Sequence, residues 1–254
     1  TDDNGCVMIE DMFIDEPLPI TIPITTTNIS CSGGSNGIAT ATPSGGTGPY
    51  TFLWSDVDST LTPTITGLST ASYTVTVTDV IGCFSISSTI TINEPPLITA
   101  TGNIFHVSCY NGNNGVISLS VSGGNAPYTY LWSNNQTTEN ATSLNSGTYS
   151  VVITDLTGCT PVFSYAVDEP QFPLSASLVI SDVLCFGGAD GSLAVVPVGG
   201  TPPYNYVWPF NGQSSISLTS LSTGTYTCNI TDANGCPAFA TGTIQQPNDL
   251  TLSS

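Results

Sequence analysis

Neither lysine nor arginine occurs among the 254 residues, and a single histidine, His106, stands against 18 acidic residues. A chain with a formal charge of −18 has no cations with which to displace counterions from a phosphate backbone or an anionic bilayer. Nucleic acid and membrane surfaces are therefore excluded as partners. Every carboxylate lacks a lysine or arginine to pair with inside the chain, and a trypsin-like protease finds no bond to cut. Apolar runs of about eighteen residues are also missing, so no membrane-spanning helix is expected. The N-terminus shows neither the basic region nor the apolar core of a signal peptide. His106 has no counterpart elsewhere in the chain, which leaves nucleophilic catalysis without a base and zinc without a ligand set. The chain reads as non-enzymatic.

Charged residues make up 7% of the chain and hydrophobic residues 39%. The apolar residues alternate with threonine and serine, the pattern of half-buried strands and not of disorder. Eight cysteines are spread evenly with no Cys-x-x-Cys pair, which points to disulfides formed in an oxidising, extracellular setting.

Those cysteines reveal the organisation. Gly147-Thr148-Tyr149-Ser150-Val151-Val152-Ile153-Thr154-Asp155-Leu156-Thr157-Gly158-Cys159 has close copies ending at Cys83 and Cys236, and its last residues recur at Asn4-Gly5-Cys6. The cysteines of these copies are 77, 76 and 77 residues apart, a period that implies an array of small domains. Glu16-Pro17, Glu94-Pro95, Glu169-Pro170 and Gln246-Pro247 punctuate the copies. The expected domains are therefore repeats at 18–95, 96–170 and 171–247, with the tail of a preceding repeat in 1–17 and the head of a following one in 248–254.

Within each repeat a first strand runs to Cys31, Cys109 or Cys185, and a Gly/Asn-rich turn follows. A second strand leads to a Gly-Gly-x-x-Pro-Tyr corner at 45–50, 123–128 and 199–204. The third strand sets aromatics at alternate positions, ending at Trp54, Trp132 and Trp208, which are assigned to the core. Between each Trp and the next repeated tyrosine (Tyr73, Tyr149, Tyr226, also assigned to the core) lie 18, 16 and 17 residues, room for two short strands. About seven strands per repeat, with frequent turns, predict an all-β fold of tandem immunoglobulin-like sandwiches. Tandem sandwiches joined without free linker predict an extended rod.

The combined pattern Cys-x-Gly-Gly-x-x-Gly, Gly-Gly-x-x-Pro-Tyr-x-x-x-Trp, Gly-x-Tyr-x-Val-x-Val-x-Asp-x-x-Gly-Cys and Glu-Pro resembles the SprB repeat of Bacteroidetes surface proteins. The Gly-x-Tyr-x-Val-x-Val segment is also similar to PKD domains. The SprB resemblance implies a segment of a long cell-surface filament of the gliding-motility type. It further implies export by type IX secretion, and neighbouring repeats, motility machinery and a substratum or surface polysaccharide as partners. A rival expectation is a carbohydrate-binding accessory array, with Tyr110, Phe186 and Phe210 as sugar-stacking aromatics.

Strand parity sets the expected disulfides. In a seven-stranded sandwich the first and last turns lie at opposite ends, roughly 25 Å apart, beyond the reach of about 7 Å between Cα atoms that a disulfide allows. Cys31–Cys159 and Cys109–Cys236, joining successive repeats, are expected on that count, with Cys6 and Cys185 bonded beyond these residues. Cys31–Cys83, Cys109–Cys159 and Cys185–Cys236 remain the alternative if one strand is missing. Cys228 stands where Val75 and Val151 stand in the other copies and is read as a buried free thiol. Glu94, Asp155, Glu169 and Asp232 are weak calcium candidates near the junctions, against capped turns and solvated carboxylates as the alternative; no cofactor is otherwise expected. Asn28, Asn135, Asn140 and Asn229 head Asn-x-Ser/Thr sequons, and Asp58-Ser59-Thr60 resembles a Bacteroidetes O-glycosylation motif.

Overall fold

The computed structural model describes residues 3–12 and 14–250. In the first repeat lie β1 (Ile24–Thr27), β2 (Gly37–Ala41), β3 (Thr51–Trp54), β4 (Thr64–Leu68), β5 (Ala71–Tyr73), β6 (Val75–Thr78), β7 (Phe84–Ile86) and β8 (Ile90–Ile92). The second holds β9 (Thr99–Phe105), β10 (Gly115–Ser122), β11 (Thr129–Trp132), β12 (Ala141–Leu144), β13 (Gly147–Thr154) and β14 (Val162–Val167). The third holds β15 (Ser175–Ser181), β16 (Gly191–Val198), β17 (Asn205–Val207), β18 (Ser217–Leu221), β19 (Gly224–Thr231) and β20 (Pro237–Ile244). Each repeat is an antiparallel sandwich of the immunoglobulin kind. One sheet is β1-β2-β4, β9-β10-β12 or β15-β16-β18, and the facing sheet is β3-β6-β7, β11-β13-β14 or β17-β19-β20. In the first repeat the last two strands are each interrupted, and β5 pairs separately with β8. There the Ser87 hydroxyl takes the Val75 N–H at 3.0 Å in place of a ladder bond.

Six strands form per repeat where about seven are expected from the sequence. The missing strand is the first of the two anticipated between tryptophan and tyrosine. In the first repeat that stretch is folded on itself, since Asp56 accepts the Thr60 N–H at 2.8 Å and its hydroxyl at 2.5 Å. The segment still carries the chain back along the sandwich without pairing, because β3 and β4 run in the same direction. The Trp indoles close it down: Nε1 of Trp54, Trp132 and Trp208 donates to the carbonyls of Thr62, Thr138 and Ser215 at 2.8–2.9 Å. These three rings are 0–1% exposed and centre each core. Around Trp54 pack Ile29, Ala39, Ile65, Leu68, Val77 and Ile92, and around Trp208 pack Leu193, Leu218, Leu221, Cys228, Ile230 and Ile244.

The strand after that segment breaks strict alternation. Ile65 and Leu68, Ala141 and Leu144, and Leu218 and Leu221 are three residues apart, yet both members of each pair are buried. A β-bulge with a positive-φ residue, Gly67, Ser143 or Ser220, turns the second member inward.

Tyr73, Tyr149 and Tyr226 are only partly buried and so flank the core instead of filling it. Their hydroxyls reach back four residues to the carbonyls of Ser69, Asn145 and Ser222 at 2.9–3.1 Å. This is the tyrosine corner of immunoglobulin-like sandwiches, which needs the ring tip at the surface.

Outside the repeats, residues 3–12 and 14–17 form no strand. The repeat tail expected in 1–17 is thus not built into a sheet over its described part, and Thr1, Asp2 and Phe13 lie outside the described residues. Residues 248–250 form no strand either, and the rest of the expected following head, 251–254, lies outside the described residues. By compactness the chain divides into two units. One takes in the first repeat together with Ser122–Pro127 and Asp155–Cys159 of the second, and the other holds the remainder of the second repeat with the third.

Replacing Trp132 by alanine should cost about 3–5 kcal/mol, the range for truncating a buried aromatic. Leu131→Ala, one residue away but 52% exposed, should change stability by no more than about 0.5 kcal/mol. Denaturant unfolding of the two variants checks this, and equal losses would refute the assignment of the core.

Candidate functional site

Each sandwich has two unlike ends. The lower end carries the Gly-Gly corner and the Asp-x-x-Gly-Cys turn, and these are tied by one aspartate. Oδ2 of Asp79 accepts the Thr47 N–H at 3.0 Å while Oδ1 accepts those of Ile81 and Cys83 at 3.0 and 2.8 Å. Asp155 holds Asn125, Thr157 and Cys159 in the same way at 2.9–3.0 Å, and Asp232 holds Thr201, Asn234 and Cys236 at 2.8–2.9 Å. These three aspartates are 2–5% exposed. The corner must be glycine to let them in: a Cβ on Gly46, Gly124 or Gly200 would sit 2.8–3.0 Å from the Asp Oδ2, and each has positive φ. For Asp79 the Thr47 amide, followed by those of Cys83 and Ile81, holds the carboxyl below its ordinary value against the opposing push of burial. For Asp155 burial is the largest influence and pushes upward, but the amides of Cys159 and Asn125 with the Thr157 hydroxyl outweigh it, so the net direction is again down.

The upper end carries the first hairpin turn and the exit of the chain. Glu94 accepts the Gly33 N–H at 2.5 Å, Glu169 accepts that of Asn111, and Gln246 accepts that of Gly187 at 3.0 Å. Ser146 adds a second bond to Glu169 at 2.8 Å. Cys31, Cys109 and Cys185 sit in these upper turns, whereas Cys83, Cys159 and Cys236 sit in the lower ones.

The upper end of one repeat meets the lower end of the next through a disulfide. Cys31 is bonded to Cys159 with Cα atoms 5.6 Å apart, and Cys109 to Cys236, also at 5.6 Å. Beside the first bond the Thr157 hydroxyl lies 3.0 Å from the Ser30 carbonyl, and beside the second Asn234 Nδ2 donates to the Ser108 carbonyl at 3.0 Å. Thr157 and Asn234 occupy the same place in their turns. A two-point joint, one covalent bond and one hydrogen bond, is therefore repeated at both junctions.

The SprB repeat family matches the chain at three places, residues 24–59, 99–137 and 177–212. SprB repeats thus recur at three places along this chain. Each match begins in the first strand of its repeat and ends just beyond the tryptophan, so the Asp-x-x-Gly-Cys turns lie outside the matched segments. The protein is structural and not enzymatic. No curated protein matches it. Solved structures with a similar chain path include one described as a 1.5-MDa bacterial ice-binding adhesin (14% identity, 92% of this chain and 98% of that one, TM-score 0.42). Another is the N-terminal eight immunoglobulin domains of Down syndrome cell adhesion molecule (11% identity, 95% and 49%, TM-score 0.37). A third is the mouse nectin-like molecule 4 ectodomain (10% identity, 91% and 96%, TM-score 0.33).

The calcium candidates of the SprB array are engaged separately. Glu94 and Glu169 hold the upper turn of their own repeat, where Gln246 does the same work in the third. An uncharged amide oxygen suffices there, so the position calls for an acceptor and not for charge. Asp155 and Asp232 face converging N–H groups, whose positive ends point where a cation would have to sit. Glu94 thus turns to Gly33 of its own repeat. Among the described residues no group of three or more His, Cys, Asp or Glu could hold a metal ion.

Other singled-out residues have local partners. His106 Nδ1 accepts the Asp168 N–H at 2.9 Å, which makes it a clip between strand ends. Phe210 stacks edge-on against Tyr226 with centroids 5.1 Å apart, while Tyr110 and Phe186 are exposed in upper turns. Asn28 and Asn140 accept the N–H groups of Asn93 and Leu119. Cys228 is fully buried and free in the third core, and burial raises its thiol pKa. Cys83 and Cys185 are exposed free thiols, and Cys6 is exposed.

Two outcomes follow from these environments. Because Asp79 and Asp155 titrate below the ordinary 3.8 when folded, their contribution to stability is fully present above that value. It is lost as pH falls through the lowered folded values, so denaturant midpoints should hold steady from pH 7 to about 5 and decline below about 4. A midpoint that rose on acidification would contradict the clasp. A thiol reagent should modify Cys83 and Cys185 in the native protein and Cys228 only after unfolding; rapid native labelling of Cys228, read by peptide mapping, would contradict its burial.

Proposed function

We propose that this chain is a structural and adhesive segment of a large extracellular cell-surface filament, of the gliding-motility adhesin type. Its repeats, bounded at 18–95, 96–170 and 171–247, serve as a disulfide-stapled spacer and as a surface-contact array. The observation that carries this reading is that each disulfide joins one repeat to the next. A bond inside a sandwich protects that sandwich alone, whereas a bond across a junction keeps neighbours together when the chain is pulled. The SprB repeat match supports the filament setting. The acidic, cation-free surface favours solubility and short-range repulsion between filaments. Contact with a substratum would then come from many weak encounters along an array.

Stretching single molecules from their ends tests the spacer role. The Cys31–Cys159 bond bypasses a sequence separation of 128 residues. At 3.3–3.6 Å per residue, the oxidised chain should therefore stop extending about 430 Å short of the reduced one. Reduction should also lower stability, by roughly 4–5 kcal/mol per bond in the chain-entropy model. Equal final lengths with and without reductant would remove the staple from the account. The carbohydrate-binding alternative is tested by pull-down on a panel of polysaccharides, where the spacer reading expects no retention and firm retention on one soluble glycan would replace it.

A further inference from the structure

None of the strands β1 to β20 contains Asp, Glu or His. The described acids lie in turns and connecting segments, so both outer faces of every sandwich are uncharged. On the sheet that carries the tryptophan, one outward row is apolar. Trp54 pairs with Val75 and both are buried, which turns Leu53 outward, and Leu53 pairs with Thr76, which pairs in turn with Ile86. The same row runs Leu131, Val152, Val162 in the second repeat and Val207, Asn229, Phe239 in the third. Its two flanking members are 47–71% exposed in every repeat. They also recur in sequence, one residue before the tryptophan and three after the lower cysteine. Exposed aliphatics are ordinary on strands, so the opposite sheet serves as the comparison. There Val179 and Val196 of the third repeat are 59% and 42% exposed, but Thr25 and Asn103 stand in place of the first, and Thr42 and Ser120 in place of the second. Where exposure alone is at stake the chain changes to polar residues, and in the apolar row it does not. The hydroxyls beside that row are bonded within the sheet. Thr51 Oγ1 donates to the Thr78 carbonyl at 3.2 Å and Thr129 Oγ1 to the Thr154 carbonyl at 3.4 Å, while the Thr225 and Thr243 hydroxyls bond each other at 2.9 Å, as do those of Thr227 and Thr241. Hydroxyls that already have partners lose less on leaving water.

We propose that this row, with the hydroxyl-covered face around it, is the part of each repeat that binds an uncharged apolar surface. Charge chooses the occupant. A polyanion is repelled by the 18 acids, and a polycation is drawn to the turns and connecting segments where those acids sit, away from this face. A second copy of the chain would bring two formal charges of −18 together across packed sheets about 10 Å apart, close to the Debye length of roughly 8 Å. A partner without charge gains from the apolar burial and meets no such cost. Leu53, Leu131 and Val207 with their row partners then supply one modest contact per repeat, and repetition supplies the strength. The proposal rests on the surface-contact part of the proposed function and names the face and the chemistry of that contact. Binding to any uncharged surface tests that reading, and substitution tests the choice of face, so the two can fail separately.

The test uses the full chain with both internal disulfides formed and its exposed thiols alkylated. Binding isotherms are measured at physiological salt on butyl-grafted agarose and on plain agarose, an uncharged polysaccharide. Val207→Thr with Phe239→Thr keeps strand-forming residues and should weaken binding to the butyl beads about tenfold. Val179→Thr with Val196→Thr removes two aliphatic side chains from the opposite face of the same repeat and should change binding by less than about twofold. Denaturant midpoints confirm that each variant is folded, and Leu131→Thr with Val162→Thr replaces the first pair if it is not. Equal weakening by the two pairs would overturn the proposal. So would binding to plain agarose as firm as to butyl agarose, or a concentration-dependent dimer of the unsubstituted chain that Val207→Thr with Phe239→Thr abolishes. A chain that binds neither bead would remove the surface-contact reading together with the proposal.

Discussion

A buried carboxylate in a chain that has no lysine or arginine can be satisfied only by N–H and O–H groups, and each lower end of this array is built around that restriction. Asp79, Asp155 and Asp232 each take one amide from the Gly-Gly corner and two from their own turn. Amides held by the backbone lose little entropy on pairing, and a carboxylate accepting two or three of them is favoured in its charged form. The clasp therefore fixes the turn in which the cysteine sits. The Cys83, Cys159 and Cys236 N–H groups are themselves among the donors, so the position of each sulfur is set from the same carboxylate that closes the sandwich. Without that bond the junction disulfide would join two loops free to wander.

The opposition of the two ends explains why the bonds run between repeats. Strand directions in the first repeat place Cys31 with Glu94 at the upper end and Cys83 with the Thr47 corner at the lower one. A bond between Cys31 and Cys83 would have to cross the length of the sandwich. Between consecutive repeats the same cysteines come to 5.6 Å, an ordinary Cα separation for a disulfide. Seven paired strands would produce this opposition. Six strands produce it as well, because the residues after Trp54 return along the sandwich without joining a ladder.

The all-β, sandwich character was legible in the sequence because alternation, glycine corners and the tryptophan spacing are local signals. The features that were not legible are tertiary. Nothing near Asp79 announces Thr47, 32 residues earlier, so the aspartate read as the cap of its own turn, with a cation ligand as the weaker alternative, and not as a tie to the glycine corner. The apolar pairs three apart, Ile65 with Leu68 and Leu218 with Leu221, read as poor alternation until the bulge residue between them is seen at positive φ. The tyrosines at 73, 149 and 226 were placed in the core by their periodicity, but periodicity does not register the hydroxyl's demand for a carbonyl. One signal was present and unused: Gln246 stands in register with Glu94 and Glu169, and a glutamine among glutamates already says that the position needs an oxygen more than a charge.

The two staples overlap along the chain, and the overlap matters more than their number. Cys109 lies between Cys31 and Cys159, and Cys159 lies between Cys109 and Cys236. Two separate loops would leave an unprotected stretch between them, where tension could unfold one repeat after another. With interleaved loops, every residue from 32 to 235 lies inside at least one closed loop. The second repeat from 109 to 159 lies inside both, so its lower end is bonded backward and its upper end forward. Load entering at Cys31 can pass by a disulfide to Cys159, or along the backbone to Cys109 and on by a disulfide to Cys236. Two covalent routes of nearly equal length thus cross the same junctions. Each added repeat with one cysteine at either end would extend this ladder by one rung, so the resistance to extension is a property of the period and not of any single sandwich.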